Sequence, residues 1–321
     1  MPSGPSVSVI IPVFRGELTL PRLLMSIRAQ KPPCDELLVL ETDPTTAVEA
    51  LSSSAGARHI PVDVGTFDHA GTRSMAARRA SSDVLVFLTQ DVILRDESTL
   101  AHLVRSLWVD DEIGAAYGRQ IPDENADPVA AVKRLFNYPD HSHTKRAADR
   151  DRLGLRTPFI SNAFAAYRRR ALEEVGFFGS RGLICEDVRA GAALLDAGWS
   201  IHYEADAVVH HTHHFSLGQE LGRYFDIGVA HQQERWILDR FGGTDREGFR
   251  YLGMGVRHLK TMGHGHSVPG FVLRSALGRV AYFVGRRHRR LPRSLCRRLS
   301  SFPAWWDRTD TAGGAAGRAG P

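Results

Sequence analysis

Three places in this chain hold side chains that could do chemistry. The first is Asp91, which follows Thr89-Gln90 at the end of the run Val84–Leu88. That run is apolar, rich in β-branched residues and too short for a buried helix, so it reads as a buried strand. A carboxylate at the carboxyl end of such a strand stands where open α/β sheets bind ligands, and it could hold a divalent metal. The alternative is a turn or helix-capping residue. The second place is the run 208–214 (VVHHTHH), with four imidazoles in five positions. In an extended segment His211 and His213 share one face, and His210 and His214 the other. A same-face pair could reach a metal or a phosphate, although single histidines are as readily surface or hydrogen-bonded core residues. The third is Glu186-Asp187, which follows a Gly-rich turn and opens a helix carrying Val188, Ala192, Leu194 and Leu195. On local grounds, acids at a helix start cap it and complement its dipole.

The elements that must position these groups are legible nearby. Residues 7–13 (VSVIIPV) and 36–40 (ELLVL) are further apolar strands, the second ending on Glu41-Thr42-Asp43. Between them, apolar residues at 20, 23, 24 and 27 have the spacing of an amphipathic helix. This is a βαβ unit. The first strand runs into Pro12-Val13-Phe14-Arg15-Gly16 without a GxGxxG turn, which argues against a dinucleotide site of the NAD type. The 321 residues, 43% hydrophobic, suffice for one large core. Cys34, Cys185 and Cys296 are widely spaced and odd in number, which fits neither a disulfide framework nor a zinc site and suits a reducing cytoplasm. No basic-then-apolar segment precedes the first strand, so no secretory signal is expected.

The charge is uneven. Seven arginines lie within residues 286–298, and without them the net charge falls from +5 to −2, so the rest of the chain is not basic. Just before them, the apolar stretch Phe271–Val284 is interrupted by Arg274 and Arg279, which argues against a spanning helix. The pattern suits an amphipathic basic helix on an anionic membrane surface. The competing readings are a solvated basic tail or a nucleic-acid patch. The latter lacks aromatic interleaving and any recognised module, so no nucleic-acid partner is expected. Residues 309–321, small and low in complexity, are expected to be disordered.

Several blocks together carry a resemblance: VSVIIPVF at 7–14, the acid at 41, FDHAGTR at 67–73, FLTQD at 87–91, YGRQIP at 117–122, FNYP at 136–139, SNAFAAYRR at 161–169, CED at 185–187, HTHHFS at 211–216 and RYFDIG at 223–228. In this order they resemble glycosyltransferase family 2, and more narrowly its bacterial rhamnosyltransferase branch. The resemblance implies an α/β, A-type glycosyltransferase fold: a doubly wound, mostly parallel sheet with nucleotide at its carboxyl edge. Residues 1–231 would form the catalytic domain and 232–308 a helical, basic, membrane-associating region.

The resemblance also implies roles. The usual Asp-x-Asp metal motif is replaced by Thr89-Gln90-Asp91, which leaves Asp91 as sole acidic ligand for Mg²⁺ or Mn²⁺, with His211 and then His213 as further ligands. Asp187 would be the general base that inversion requires, with Glu186 orienting base or acceptor. Pro12, Phe14 and Glu41 would hold the pyrimidine. His69, Gly71, Arg73 and Gln90 would complete the donor site, with Gly71 admitting backbone and Arg73 pairing with phosphate. The implied reaction is inverting, metal-dependent transfer of L-rhamnose from dTDP-L-rhamnose to a lipid-linked (polyprenyl-linked) or polymeric cell-envelope saccharide, at the inner face of the cell membrane. The alternatives are another hexose or galactofuranose from a UDP-sugar, and a non-catalytic saccharide- or nucleotide-binding scaffold. Trp199 and Tyr224 read as core aromatics rather than sugar platforms. Asp226 reads as structural or acceptor-side, and 240–270 only as helical.

Overall fold

The computed structural model describes residues 4–65, 67–122, 127–179, 181–211 and 215–308. Its strands are β1 (Val7–Phe14), β2 (Glu36–Thr42), β3 (Arg58–Val62), β4 (Val84–Leu88), β5 (Val92–Leu94), β6 (Ile113–Ile121), β7 (His143–Lys145), β8 (Phe164–Arg168) and β9 (Ser200–His211). Its first helices are α1 (Leu20–Arg28), α2 (Thr46–Ser54), α3 (His69–Arg79), α4 (Thr99–Ser106), α5 (Pro128–Asn137), α6 (Arg150–Leu153), α7 (Arg169–Glu174) and α8 (Glu186–Asp196). The rest are α9 (Leu217–Gln233), α10 (Arg235–Phe241), α11 (Asp245–Thr261), α12 (Val268–Arg286), α13 (Arg293–Leu299) and α14 (Pro303–Arg308).

The strands form one sheet in the order β3-β2-β1-β4-β8-β6-β9-β5, with β7 also on β9. The strands β1 to β4, β6 and β9 run one way, and β5, β7 and β8 run the other. Both faces are covered, which is why the central strands read as unbroken apolar runs. Ile10, Leu38, Leu40, Leu85 and Phe87 face α3, α7 and α8. Their neighbours Val9, Ile11, Val39, Val84 and Val86 face α1, α2 and α4. The alternation is the strand period of two applied to a sheet buried on both sides.

The helical carboxyl region packs closely on the rest of the chain. Helix α9 runs through the expected boundary at 231, and α12 lies against it so closely that a Cβ at Gly228 would sit 2.1 Å from the Tyr282 carbonyl oxygen. A Cβ at Gly285 would sit 2.0 Å from that of Phe225. Alanine at either position would therefore force the helices apart, at a cost of about 1–3 kcal/mol. The arginine-rich segment is folded rather than a solvated tail. It forms α13, whose Cys296 is buried with Phe225 and Trp306. Beyond it, the Ser301 N–H donates to Asp226 at 2.8 Å, and Phe302 meets His69 edge to face at 4.9 Å. Asp226 is thus a structural anchor for the segment that follows α13. The expectation for 309–321 lies outside the described residues.

Candidate functional site

The sheet's register makes the first half of the site. Strand β5 is antiparallel to β9 with Val92 opposite His211, so Asp91, just before β5, comes beside the end of β9. The Asp91 Oδ1 lies 3.4 Å from His211 Nε2. Asp91 is half-buried and His211 buried, and burial holds the imidazole pKa below its ordinary value, so it is neutral at pH 7. One carboxylate oxygen and one imidazole nitrogen are donors that Mg²⁺ and Mn²⁺ accept, with the remaining positions open to diphosphate and water. Among the described residues no group of three or more His, Cys, Asp or Glu side chains converges as a metal site. His213 lies outside the described residues.

Asp187 makes the second half. It begins α8 immediately after Glu186, and Cys185 before them has a left-handed φ of 64°, a conformation that non-glycine residues adopt at some cost where the surroundings impose it. The Asp187 carboxylate accepts from its neighbour's N–H, Val188, at 2.8 Å and from Asn162 N–H at 3.3 Å. Burial, and then the negative charge of Glu186, push its pKa up to about 6. Glu186 goes the opposite way. Burial would raise it, but the Arg73 guanidinium, 3.0 Å away, holds it below the usual range. The two neighbouring acids thereby acquire different proton affinities, as acid–base sites require.

Residues Ser161 and Asn162, just before β8, join the two halves. The Asn162 N–H donates to Asp187, while Ser161 Oγ accepts from Gln120 Nε2 at 3.0 Å. Gln120, on β6, in turn meets His211 Nδ1 at 2.8 Å. Sequence reasoning missed Gln120, Ser161 and Asn162. The available signal was polar residues at the ends of apolar strands, inside the blocks YGRQIP and SNAFAAYRR.

The remaining expected donor residues fall into two groups. Gln90 clamps the end of β1 to the end of β4: its Oε1 accepts from Phe14 N–H at 2.7 Å, and its Nε2 donates to Phe14 C=O at 3.0 Å. The Phe14 ring is exposed beside this clamp, and Pro12 precedes it half-buried. Glu41 faces inward instead. It is fully buried, with His59 Nε2 at 2.9 Å and the Thr45 N–H and hydroxyl donating to its other oxygen, so it braces the turn into α2. His69, Gly71 and Arg73 form the first turns of α3, capped by Asp68, which accepts from Gly71 N–H at 2.7 Å. His69 is enclosed by Phe67 and Phe302, and burial lowers its pKa to about 4, so it is a neutral spacer. Arg73 is buried against Glu186 rather than displayed to a phosphate. Both support the acidic pair from beneath.

A mixed sheet of this order, with its acids at the carboxyl edge, is the A-type glycosyltransferase fold. The mannosyltransferase PcManGT from Pyrobaculum calidifontis, solved in complex with GDP-Man and Mn²⁺, has the same fold, with a TM-score of 0.58 at 19% identity over 96% of this chain and 89% of that one. The description "Glycosyl transferase family 2" matches residues 8–176, and the chain belongs to that family. The O-antigen chain rhamnosyltransferase RfbN of Salmonella typhimurium is 36% identical over 94% of this chain and 96% of its own length. The O-antigen chain rhamnosyltransferase WbaN of Salmonella anatum is 33% identical over the same shares.

Proposed function

We propose that this glycosyltransferase is inverting and metal-dependent, and that it moves L-rhamnose from dTDP-L-rhamnose onto a lipid-linked or polymeric cell-envelope saccharide. The observation that carries the reading is the approach of Asp91 to His211, with Asp187 tied to the same edge through Ser161-Asn162. The identity of 33–36% to two rhamnosyltransferases along nearly the whole chain supports the sugar.

Asp91 Oδ1 and His211 Nε2 would hold the divalent cation. Their 3.4 Å separation is near the spacing of about 3 Å between adjacent ligands of an octahedral centre. When bound, the cation supplies positive charge to a diphosphate whose negative charge grows as the glycosidic bond breaks. Asp187 accepts the acceptor hydroxyl proton as that oxygen attacks the anomeric carbon from the face opposite the diphosphate. With a pKa of about 6 it is ionised at neutral pH and more basic than an exposed carboxylate. Burial and then the charge of Glu186 make it more basic, and Arg73 keeps Glu186 ionised. The Gln90 clamp holds Phe14 and Pro12 at the mouth of the edge, where a pyrimidine would rest against them.

The donor is tested by thermal unfolding with a panel of nucleotide sugars, each with and without Mn²⁺. A ligand at a hundred times its Kd raises stability by about 2.7 kcal/mol, so dTDP-L-rhamnose with Mn²⁺ should stand above the rest. A larger shift from a UDP-sugar would contradict the donor.

The lipid-linked acceptor is supported by α12. Phe271, Gly278, Tyr282 and Gly285 bury one face of this helix, while Val272, Leu273, Ala276, Leu277, Val280 and Phe283 are exposed on the other. Among the described residues no helix is long and apolar enough to cross a membrane, so this face would lie in the surface layer of one. Arginines of α13 follow it, each contributing about 1 kcal/mol near an anionic surface. Leu273→Glu with Val280→Glu should abolish sedimentation with anionic liposomes. Undiminished sedimentation, or equal binding to neutral vesicles, would contradict membrane docking.

A further inference from the structure

We infer that Arg134 and Gln120 are positioning residues that place a hydrogen on His211 Nδ1 and so turn Nε2, as the metal-accepting nitrogen, toward Asp91. The metal end of this inference rests on the reading above. The hydrogen-bond order does not.

Gln120 is 1% exposed at the end of β6. An amide of this kind can be placed either way round unless its neighbours decide, since its two ends differ only in being acceptor or donor. Arg134, on α5, decides. A guanidinium has only hydrogens to give, and Arg134 donates to one end of the Gln120 amide, which must therefore be the carbonyl Oε1. The other end, Nε2, donates to Ser161 Oγ at 3.0 Å. Turned around, the amide would set its NH₂ against the guanidinium in a buried place, leaving donors facing donors at a cost of about 1–3 kcal/mol.

The same Oε1 lies 2.8 Å from His211 Nδ1. Facing a carbonyl oxygen, Nδ1 must carry a hydrogen and donate it. In the neutral ring the lone pair is then on Nε2, the nitrogen 3.4 Å from Asp91 Oδ1. A metal-binding imidazole is commonly oriented through its second nitrogen in this way, and losing such support typically weakens metal binding about 10–100-fold. The order therefore runs from α5 through β6 to the end of β9. Helix α5 is in turn held by Val132, packed on Leu259 of α11 and Phe271 of α12. The carboxyl-terminal helices thus reach the metal edge through Arg134.

Two measurements test this. The first is ring ¹⁵N NMR of the whole chain without metal, with the His211 signals assigned by their loss in His211→Ala. Wild type and Gln120→Glu, which keeps an acceptor at the same place, should both show a protonated Nδ1. An unprotonated Nδ1 in wild type overturns the inference. The second is Mn²⁺ affinity in the presence of dTDP, read by electron paramagnetic resonance. Gln120→Leu should bind Mn²⁺ about 10–100-fold more weakly, while Gln120→Glu stays within about threefold of wild type. Folded Gln120→Leu with wild-type affinity, or an equal loss in Gln120→Glu, overturns it. Should Gln120→Leu not fold, Arg134→Met carries the same expectation, because the amide loses the donor that orients it. If wild type binds no Mn²⁺ with dTDP, the metal reading fails, and the ring spectra still decide the hydrogen-bond order.

Discussion

The surroundings of Asp91 and Asp187 differ in kind, although each carboxylate stands at the end of a secondary-structure element on the same sheet edge. Asp91 faces a neutral imidazole across a strand register, and the polar support arrives through the far side of that ring. Asp187 faces another acid, whose own charge is countered by a buried arginine, and its oxygens accept two backbone N–H groups. The first arrangement lines up two electron-pair donors, as a cation requires. The second raises one carboxyl while keeping its neighbour ionised, as a proton acceptor requires. The contrast teaches that what surrounds a carboxylate, more than its place at the sheet edge, decides what it can do.

Three substitutions sharpen or break this contrast. The largest effect belongs to Asp187→Asn, which keeps the shape but cannot take a proton. Turnover should fall about 10²–10⁴-fold with donor affinity nearly unchanged, measured by steady-state rates beside donor titration. Parallel losses in both would make Asp187 a binding group and erase the distinction. Asp91→Ala should lower turnover by at least about 10²–10³-fold and remove the dependence of donor binding on Mn²⁺. Wild-type activity that persists in EDTA, with the variant close behind it, would contradict the cation side. The smallest effect is a shift in pH dependence. As the proposed base, Asp187 would work when ionised, so activity should be lost as pH falls through about 6. Glu186→Gln removes the neighbouring charge that helps to raise Asp187, so the acid limb should move to lower pH. An unmoved limb would assign it to another group.

The amino-terminal half was legible because its signals are local. The apolar runs ending at Val13, Leu40 and Leu88 became β1, β2 and β4, and the spacing at 20, 23, 24 and 27 became the buried face of α1. The A-type fold and the family followed from ordered blocks rather than from any one residue. What could not be read was where a polar side chain turns once the sheet forms. Glu41 closes on His59 and Thr45, and Arg73 on Glu186, which is distant in sequence. Gln120 meets His211 only because β6 and β9 run side by side, and no window of sequence contains both. The boundary at 231 marks where the resembling blocks end, not where a contact ends, since α9 runs across it. Gly228 and Gly285, which let α9 and α12 touch, carry no sign of that contact in their own neighbourhoods.

The central claim is a single displacement by an acceptor oxygen deprotonated at Asp187, opposite a metal-held diphosphate. The measurement that tests it most directly is the anomeric configuration of the product made from dTDP-L-rhamnose and a polyprenyl-linked saccharide acceptor, read by NMR of the new linkage. The account predicts a rhamnosyl product whose configuration is inverted relative to the donor. A product that retains the donor's configuration would contradict it, because retention requires a second displacement, or a same-face path, in place of the single displacement.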